Sequence, residues 1–311
     1  MNPKILLTGS TGFIGRKTLI RLQSHFVDII APVRASWQSN DSKVSTPFIN
    51  DIVNLPQLFD SIKEVDVIIH IAAKAHVAGI SLAEFRHVNT QATLNLAKEA
   101  ARRGVKRFIF LSSIGVNGIS SPKPFTVFDP PSPCEDYAVS KLDAEIGLTK
   151  ISAESGMEVV IIRPPLVYGA DAPGNFGKLS KLAQQNLPLP LGAIHNKRSL
   201  VALDNLVDLI VTCIDHPNAA NQTFLVSDDQ DVSTTRLLQL MTSAAGKQPR
   251  LLPVPVSWLR LAGKLTGKSA VIDRLCGNLQ VDITHTKETL GWKPPITLEE
   301  GIARCFSNVE C

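Results

Sequence analysis

The feature that most constrains this chain is the passage from an apolar run at residues 4–8 into Thr8-Gly9-Ser10-Thr11-Gly12-Phe13-Ile14-Gly15. Helical spacing of apolar residues over 13–22 follows at once. A buried strand that turns sharply into a helix needs residues without a Cβ at the turn. Gly9 and Gly12 permit close backbone approach to a pyrophosphate, and Gly15 lets the helix pack onto the sheet. The helix N-terminus then offers free N–H groups and a partial positive charge to an anion.

Apolar runs at 27–32, 46–50, 66–72, 107–111 and 158–162 alternate with helical patterns. One of these covers 87–101 and is closed by Gly104; another begins near Tyr137. Such alternation predicts an α/β fold of the Rossmann type, a doubly wound parallel sheet. Residues 120–133 hold five prolines and read as an ordered surface loop. Beyond Tyr168 the pattern is irregular until a helix at 204–215 and a short strand at 223–226, and residues 233–311 read as mostly helical. The expected division is a dinucleotide-binding domain from residues 1–170 plus a returning segment 199–227. A smaller, mostly helical substrate domain then comprises 171–198 and 228–311.

Length and composition exclude several classes. A chain of 311 residues with 44% hydrophobic and 19% charged content can bury a full core. A net charge of +4 from scattered Lys and Arg argues against nucleic-acid binding and suits a small anionic substrate. Cys134, Cys213, Cys276, Cys305 and Cys311 show no CxxC spacing, so neither a disulfide framework nor a zinc site is expected. His70, His76 and His87 lack metal-ligand spacing, His70 reads as a buried strand residue, and no metal is called for. The short, glycine-broken N-terminal run does not read as a signal peptide, and no stretch has the length of a membrane span. The apolar segment 254–265, interrupted by Arg260 and Lys264, reads as a buried amphipathic helix in preference to one lying on a membrane surface. A cytoplasmic location is the default expectation.

Tyr137 and Lys141 lie one helical turn apart and share a face. An ammonium near a phenol stabilises the phenolate, so the phenol can exchange a proton near neutral pH. About 24 residues earlier a strand ends in Ser112-Ser113.

The GxxGxxG turn and the Ser, Tyr, Lys order resemble the extended short-chain dehydrogenase/reductases, in the NAD-dependent epimerase/dehydratase branch, along the whole chain. The resemblance implies that Ser113 holds the sugar carbonyl, Tyr137 transfers a proton, and Lys141 holds the nicotinamide ribose and lowers the Tyr pKa. Ser112 is the structural alternative to Ser113. Asn117 stands where the family usually has Tyr. By the same resemblance Gly9, Thr11, Gly12, Phe13, Ile14, Gly15, Asp51, Ile52, Ala72, Ala73, Lys74, Asn89, Pro164 and Leu166 line the cofactor. Asn175, Arg198 and Arg274 are implied to grip the nucleotide diphosphate, and His76 to line the sugar pocket. Dimerisation through the helices of Asn89 and Tyr137 is also implied.

No acid ends the second strand, where it would bond the ribose 2′-hydroxyl. Arg34 and Ser36 could instead receive a 2′-phosphate, which favours NADP(H), with NAD(H) as the other option. Expected function follows from that preference: NADPH-dependent reduction of a UDP-linked 4-keto-6-deoxy-hexose. The alternative is an NAD-dependent UDP-hexose 4-epimerase, and a non-catalytic nucleotide-binding scaffold is a third reading. Ile114-Gly115 lack the acid pair of a 4,6-dehydratase.

Overall fold

The computed structural model describes residues 3–26, 28–34, 37–62, 64–75 and 79–307. Seven strands form one parallel sheet in the order β3-β2-β1-β4-β5-β6-β9. They are β1 (Ile5–Thr8), β2 (Ile29–Ile30), β3 (Val44–Ser45), β4 (Val67–His70), β5 (Arg107–Leu111), β6 (Glu158–Arg163) and β9 (Thr223–Leu225). The chain moves outward from β1 to β3, then crosses back to place β4 on the other side of β1. That reversal opens a crevice at the carboxyl ends of β1 and β4, where Thr8 pairs with His70.

The sheet is covered on both sides, and successive strand residues divide between two cores. Ile5, Leu7, Ile109, Leu111, Val160 and Ile162 pack with Leu19 and Leu22 of α1 (Phe13–Gln23) and Leu206 and Ile210 of α6 (Leu203–Thr212). Leu6, Ile68, Phe108, Phe110 and Ile161 face the opposite way, against Leu96 and Ala100 of α3 (Ala92–Arg102) and Ala144 and Leu148 of α4 (Asp136–Ser155). Each such fully buried side chain contributes about 1.5–3 kcal/mol, so this double layer holds the crevice rigid.

The helix expected at 87–101 begins earlier, at α2 (Leu82–Phe85), where Ser81 and Glu84 form a reciprocal capping box. It continues through one turn of π-helix at Arg86–Gln91 before α3. The second strand is shorter than its apolar run, the third forms at Val44–Ser45 just before the expected 46–50, and the pair is extended by a bridge between Val33 and Phe48.

A second, three-stranded sheet is formed by β10 (Asp231–Val232), β8 (Arg198–Ala202) and β7 (Leu166–Tyr168). It packs with α5 (Gly174–Gln185), α7 (Thr234–Ala244) and α11 (Leu298–Arg304) around Tyr168, Phe176, Met241 and Ile302. Between α7 and α11 lie α8 (Val256–Leu265), α9 (Ser269–Cys276) and α10 (Thr284–Leu290).

One expectation is corrected here. Helix α8 is not buried: of its residues only Leu259 and Gly263 are. Leu259 joins Leu191, Ile194 and Leu238, and this narrow stripe leaves Trp258, Leu261 and Leu265 facing outward.

Candidate active site

The turn after β1 has the tightness its glycines imply. Gly9 has φ +77°, and a Cβ there would lie 2.8 Å from the backbone nitrogen of Ala72, beyond the end of β4. A Cβ on Gly15 would lie 2.0 Å from the Gly9 carbonyl oxygen, so α1 can pack against the turn only with glycine at that position. Gly12 caps α1 through its backbone alone, with no side chain bonded to the first-turn amides. Those N–H groups point out of the turn with the positive end of the helix dipole. The buried Ser10 hydroxyl has no partner among the described residues. A cradle closed to any Cβ, with free amides and an unpaired hydroxyl, fits the diphosphate of a dinucleotide.

Around it, Thr11 is exposed and Phe13 and Ile14 are half-buried. The Asp51 carboxylate accepts from the Val53 amide at 3.2 Å, beside the buried Ile52. Ala72, Ala73 and Lys74 are half-buried just past β4, and Arg34 is exposed just past β2. Ser36 and His76 lie outside the described residues.

A buried polar relay joins this cradle to α4. The Thr93 hydroxyl donates to the Asn89 carbonyl at 2.8 Å, so it must accept from Nε2 of His70, 2.9 Å away. Nδ1 of His70 therefore accepts from the Thr8 hydroxyl at 2.8 Å, while the Ala72 amide donates to Thr8. Burial, reinforced by the nearby Lys141 charge, pushes the His70 imidazole down to about 3, and it stays neutral. From the π-helical turn the Asn89 amide group bonds the backbone N–H and carbonyl of Lys74 at 2.8 and 3.0 Å, and donates to Ser140 at 3.1 Å. Ser140 in turn donates to the carbonyl of Tyr137.

Tyr137 and Lys141 come from the first two turns of α4. Lys141 is buried; its Nζ donates to the Leu111 carbonyl at 2.8 Å and sits 4.4 Å above the Phe110 ring and 5.9 Å from the Tyr137 ring centre. Burial pulls its ammonium down to about 7, opposed by Glu145 one turn further along. The same desolvating surroundings push the Tyr137 phenol up to about 12. Burial thus weighs against the charged form of each group taken singly, a cost that an ammonium beside a phenolate offsets for both.

The two serines separate clearly. Ser112 is buried and its hydroxyl donates to Glu145. Ser113 is half-buried; its oxygen accepts from the Gly115 amide at 3.1 Å, which leaves its O–H proton available. A Cβ on Gly115 would meet Ser113 Oγ at 3.3 Å and Ala138 Cβ at 3.2 Å, so glycine lets this turn close on the start of α4.

Glu145 belongs to a network that sequence reasoning missed. Arg163 donates to it twice, Nε to Oε1 at 3.0 Å and Nη2 to Oε2 at 2.5 Å, with both side chains buried. Arg163 also donates to Asn117, whose amide reaches the Thr126 carbonyl at 3.2 Å. Asn117 thus turns inward to the ion pair. The available signal was a Glu four residues after Lys141 on one helix face, beside a strand ending in Arg.

Pro164 is buried and Leu166 half-buried at the exit from β6. Asn175 is exposed in the first turn of α5. Arg198, at the start of β8, donates to the carbonyls of Arg274 and Gly277, and Arg274 pairs with Glu135, the residue preceding α4. Arg198 and Arg274 are therefore brought together beside the Tyr137 helix.

A glycine cradle at the switch point of a parallel sheet, with Ser113 in a turn closed on the start of α4 and Tyr137 and Lys141 on the first two turns of that helix, fits a class of dinucleotide-dependent enzymes. The profile of the NAD dependent epimerase/dehydratase family matches residues 5–227, and the chain belongs to that family. It is 49% identical to the UDP-glucose 4-epimerase of Vibrio cholerae, over 97% of this chain and 94% of that protein. It is 26% identical to the N-acetyl-alpha-D-glucosaminyl-diphospho-ditrans,octacis-undecaprenol 4-epimerase of Escherichia coli O157:H7, over 98% and 94% of the two chains. Among solved structures, the UDP-glucose 4-epimerase of Thermotoga maritima with UDP-glucose superposes with a TM-score of 0.78 at 23% identity, covering 97% of each chain.

Proposed function

We propose that this protein is a 4-epimerase of a diphosphate-linked hexose, with a UDP-hexose as the first substrate class, working with a retained NAD. The observation that carries this reading is the 49% identity to the Vibrio cholerae UDP-glucose 4-epimerase along nearly the whole of both chains. It favours the epimerase over the NADPH-dependent 4-ketoreductase expected from the sequence. It likewise favours NAD(H) over NADP(H), because epimerisation consumes no reductant. The exposed Arg34 and the absence of an acid after β2 remain the argument for the reductase.

When bound, the nicotinamide supplies a reversible hydride acceptor and donor at sugar C4. In this proposal the Gly9–Gly15 turn holds the diphosphate of the cofactor, with Asp51, Ile52, Ala72, Ala73, Lys74, Asn89, Pro164 and Leu166 along its length. Tyr137 removes the proton from the C4 hydroxyl and later returns it to the C4 oxygen. Ser113 donates its free O–H to the same oxygen, which concentrates charge as the carbonyl forms and is reduced. Lys141 stabilises the Tyr137 phenolate, the more strongly because both lie in desolvated surroundings. Arg198, Arg274 and Asn175 bind the substrate diphosphate from the domain of residues 171–198 and 228–311. Dimerisation through α3 and α4 is part of the proposal, supported by the exposed Ile146 on α4.

The test is to heat-denature the purified protein, identify any released nucleotide, and assay UDP-glucose and UDP-N-acetylglucosamine without added cofactor. Near-stoichiometric NAD(H) with C4 inversion is expected. Product formation that requires one added NADPH per turnover would overturn the epimerase reading. Tyr137→Phe should lose at least about two orders of magnitude in rate while retaining nucleotide.

A further inference from the structure

We propose that the hairpin of α8 and α9 is a docking surface for an anionic lipid bilayer. The hairpin stands away from the core: α8 buries only Leu259 and Gly263, and α9 buries no residue. It is nevertheless firmly built, because Gly263 lets α9 approach so closely that a Cβ there would lie 2.9 Å from Ile272. On the outer side of α8, Trp258, Leu261 and Leu265 are 70%, 59% and 80% exposed. Their spacing of three and then four residues stacks them on one face, opposite Leu259 and Gly263. Val271 of α9 adds a further exposed apolar side chain.

Charge identifies the occupant. Residues 241–276 carry Lys247, Arg250, Arg260, Lys264, Lys268 and Arg274 against the single acid Asp273, a net +5. The whole chain carries +4, so everything outside this segment sums to −1. Within it Arg260 pairs with Asp273 and Arg274 with Glu135, whereas the exposed Lys264 and Lys268, beside the apolar face of α8, form no ion pair among the described residues. Lys264 stands beside the Trp258–Leu261–Leu265 stripe on the helix and Lys268 follows in the link to α9, while Arg260 lies further round, 3.7 Å from Asp273 of α9. An exposed Trp and Leu stripe bordered by lysines matches the interfacial region of a membrane, where apolar groups enter the acyl boundary and cations meet anionic head groups. A second copy of the same chain would set basic residues against basic residues.

The hairpin also adjoins the candidate site. Arg274, in the last turn of α9, pairs with Glu135 immediately before the Tyr137 helix, and Arg198 bonds the Arg274 carbonyl. Docking would bring the mouth of the site close to the bilayer surface.

The test is flotation of the full-length protein with vesicles of phosphatidylethanolamine and phosphatidylglycerol, in parallel with pure phosphatidylcholine vesicles, at low and high salt. Binding at least about tenfold stronger to the anionic vesicles, weakened by salt, is expected. Leu265→Glu and, separately, the Lys264→Glu/Lys268→Glu pair should each lower binding by at least about tenfold, with unchanged thermal midpoint and unchanged turnover of soluble UDP-sugar. These side chains are exposed, so the variants test the surface without disturbing the core. Equal binding by wild type and both variants, or no binding of wild type to anionic vesicles, would overturn the proposal. So would a change of oligomeric state in Leu265→Glu by light scattering, which would make this face a self-interface.

Discussion

Replacing Glu145 by Leu tests the buried network under the site. Its carboxylate holds both arms of Arg163 and the Ser112 hydroxyl, and the Glu145 and Arg163 side chains are only 4% and 8% exposed. Removing it leaves a guanidinium in the interior with Asn117 as its remaining side-chain partner. Loss of one member of such a pair costs about 3–5 kcal/mol, because the remaining charge has no water to return to. For 311 residues the unfolding entropy is roughly 650 cal/mol/K, so about 4 kcal/mol corresponds to a fall of about 6 °C in Tm. The double variant Glu145→Leu/Arg163→Met removes both charges and should recover about 2 kcal/mol or more of that loss. Differential scanning calorimetry of the wild type, both single variants and the double gives the coupling directly. A single variant within about 1 kcal/mol of wild type, or a double variant less stable than the sum of the singles, would refute the account.

Glu145→Gln isolates the electrostatic part. Glu145 opposes the effect of burial on Lys141, so removing its negative charge lets the lysine pKa fall below about 7. If the protonated lysine supports Tyr137, the limb of the kcat profile that reports Lys141 should move to lower pH. An unmoved profile would mean that the carboxylate supports only the fold.

Three further outcomes are expected. Gly15→Ala forces a Cβ to within 2.0 Å of the Gly9 carbonyl, so the turn must shift; nucleotide affinity by calorimetric titration should fall at least about tenfold, with the helical circular dichroism retained. His70 titrates near 6.5 when unfolded and near 3 when folded, so the unfolded chain takes up a proton that the native state refuses. Its contribution to stability is therefore lost as pH falls from about 6.5 towards 3, at up to about 1.4 kcal/mol per unit; His70→Gln should flatten that slope in urea titrations, and an unchanged slope would count against the neutral relay. Asn89→Ala removes the bond between the Lys74 strand exit and Ser140, so cofactor retention should drop at least about tenfold while Tm falls by only a few degrees.

What could be read in the sequence, and what could not, follows from the range of the interactions. The turn from β1 into α1 is local: three glycines within seven residues can be recognised because each answers a backbone requirement of its immediate neighbours. Strands buried on both faces announce themselves as unbroken apolar runs, and Tyr137 and Lys141 are linked by helical spacing alone. The Glu145–Arg163 pair joins a helix to a strand eighteen residues later, and neither side chain is unusual in isolation. The small sheet of β7, β8 and β10 has strands of two to five residues, too short for a period to show. Helix α8 exposes the limit most plainly. Leu259 and Gly263 form one face at helical spacing and Trp258, Leu261 and Leu265 form another, and periodicity cannot say which of two apolar faces meets the core. Only the packing decides, and it places the larger apolar face outside. That outcome ties stability to function: a helix that buries only Leu259 and Gly263, and presents an exposed tryptophan and two exposed leucines on its other face, carries the kind of apolar patch that marks an interaction surface.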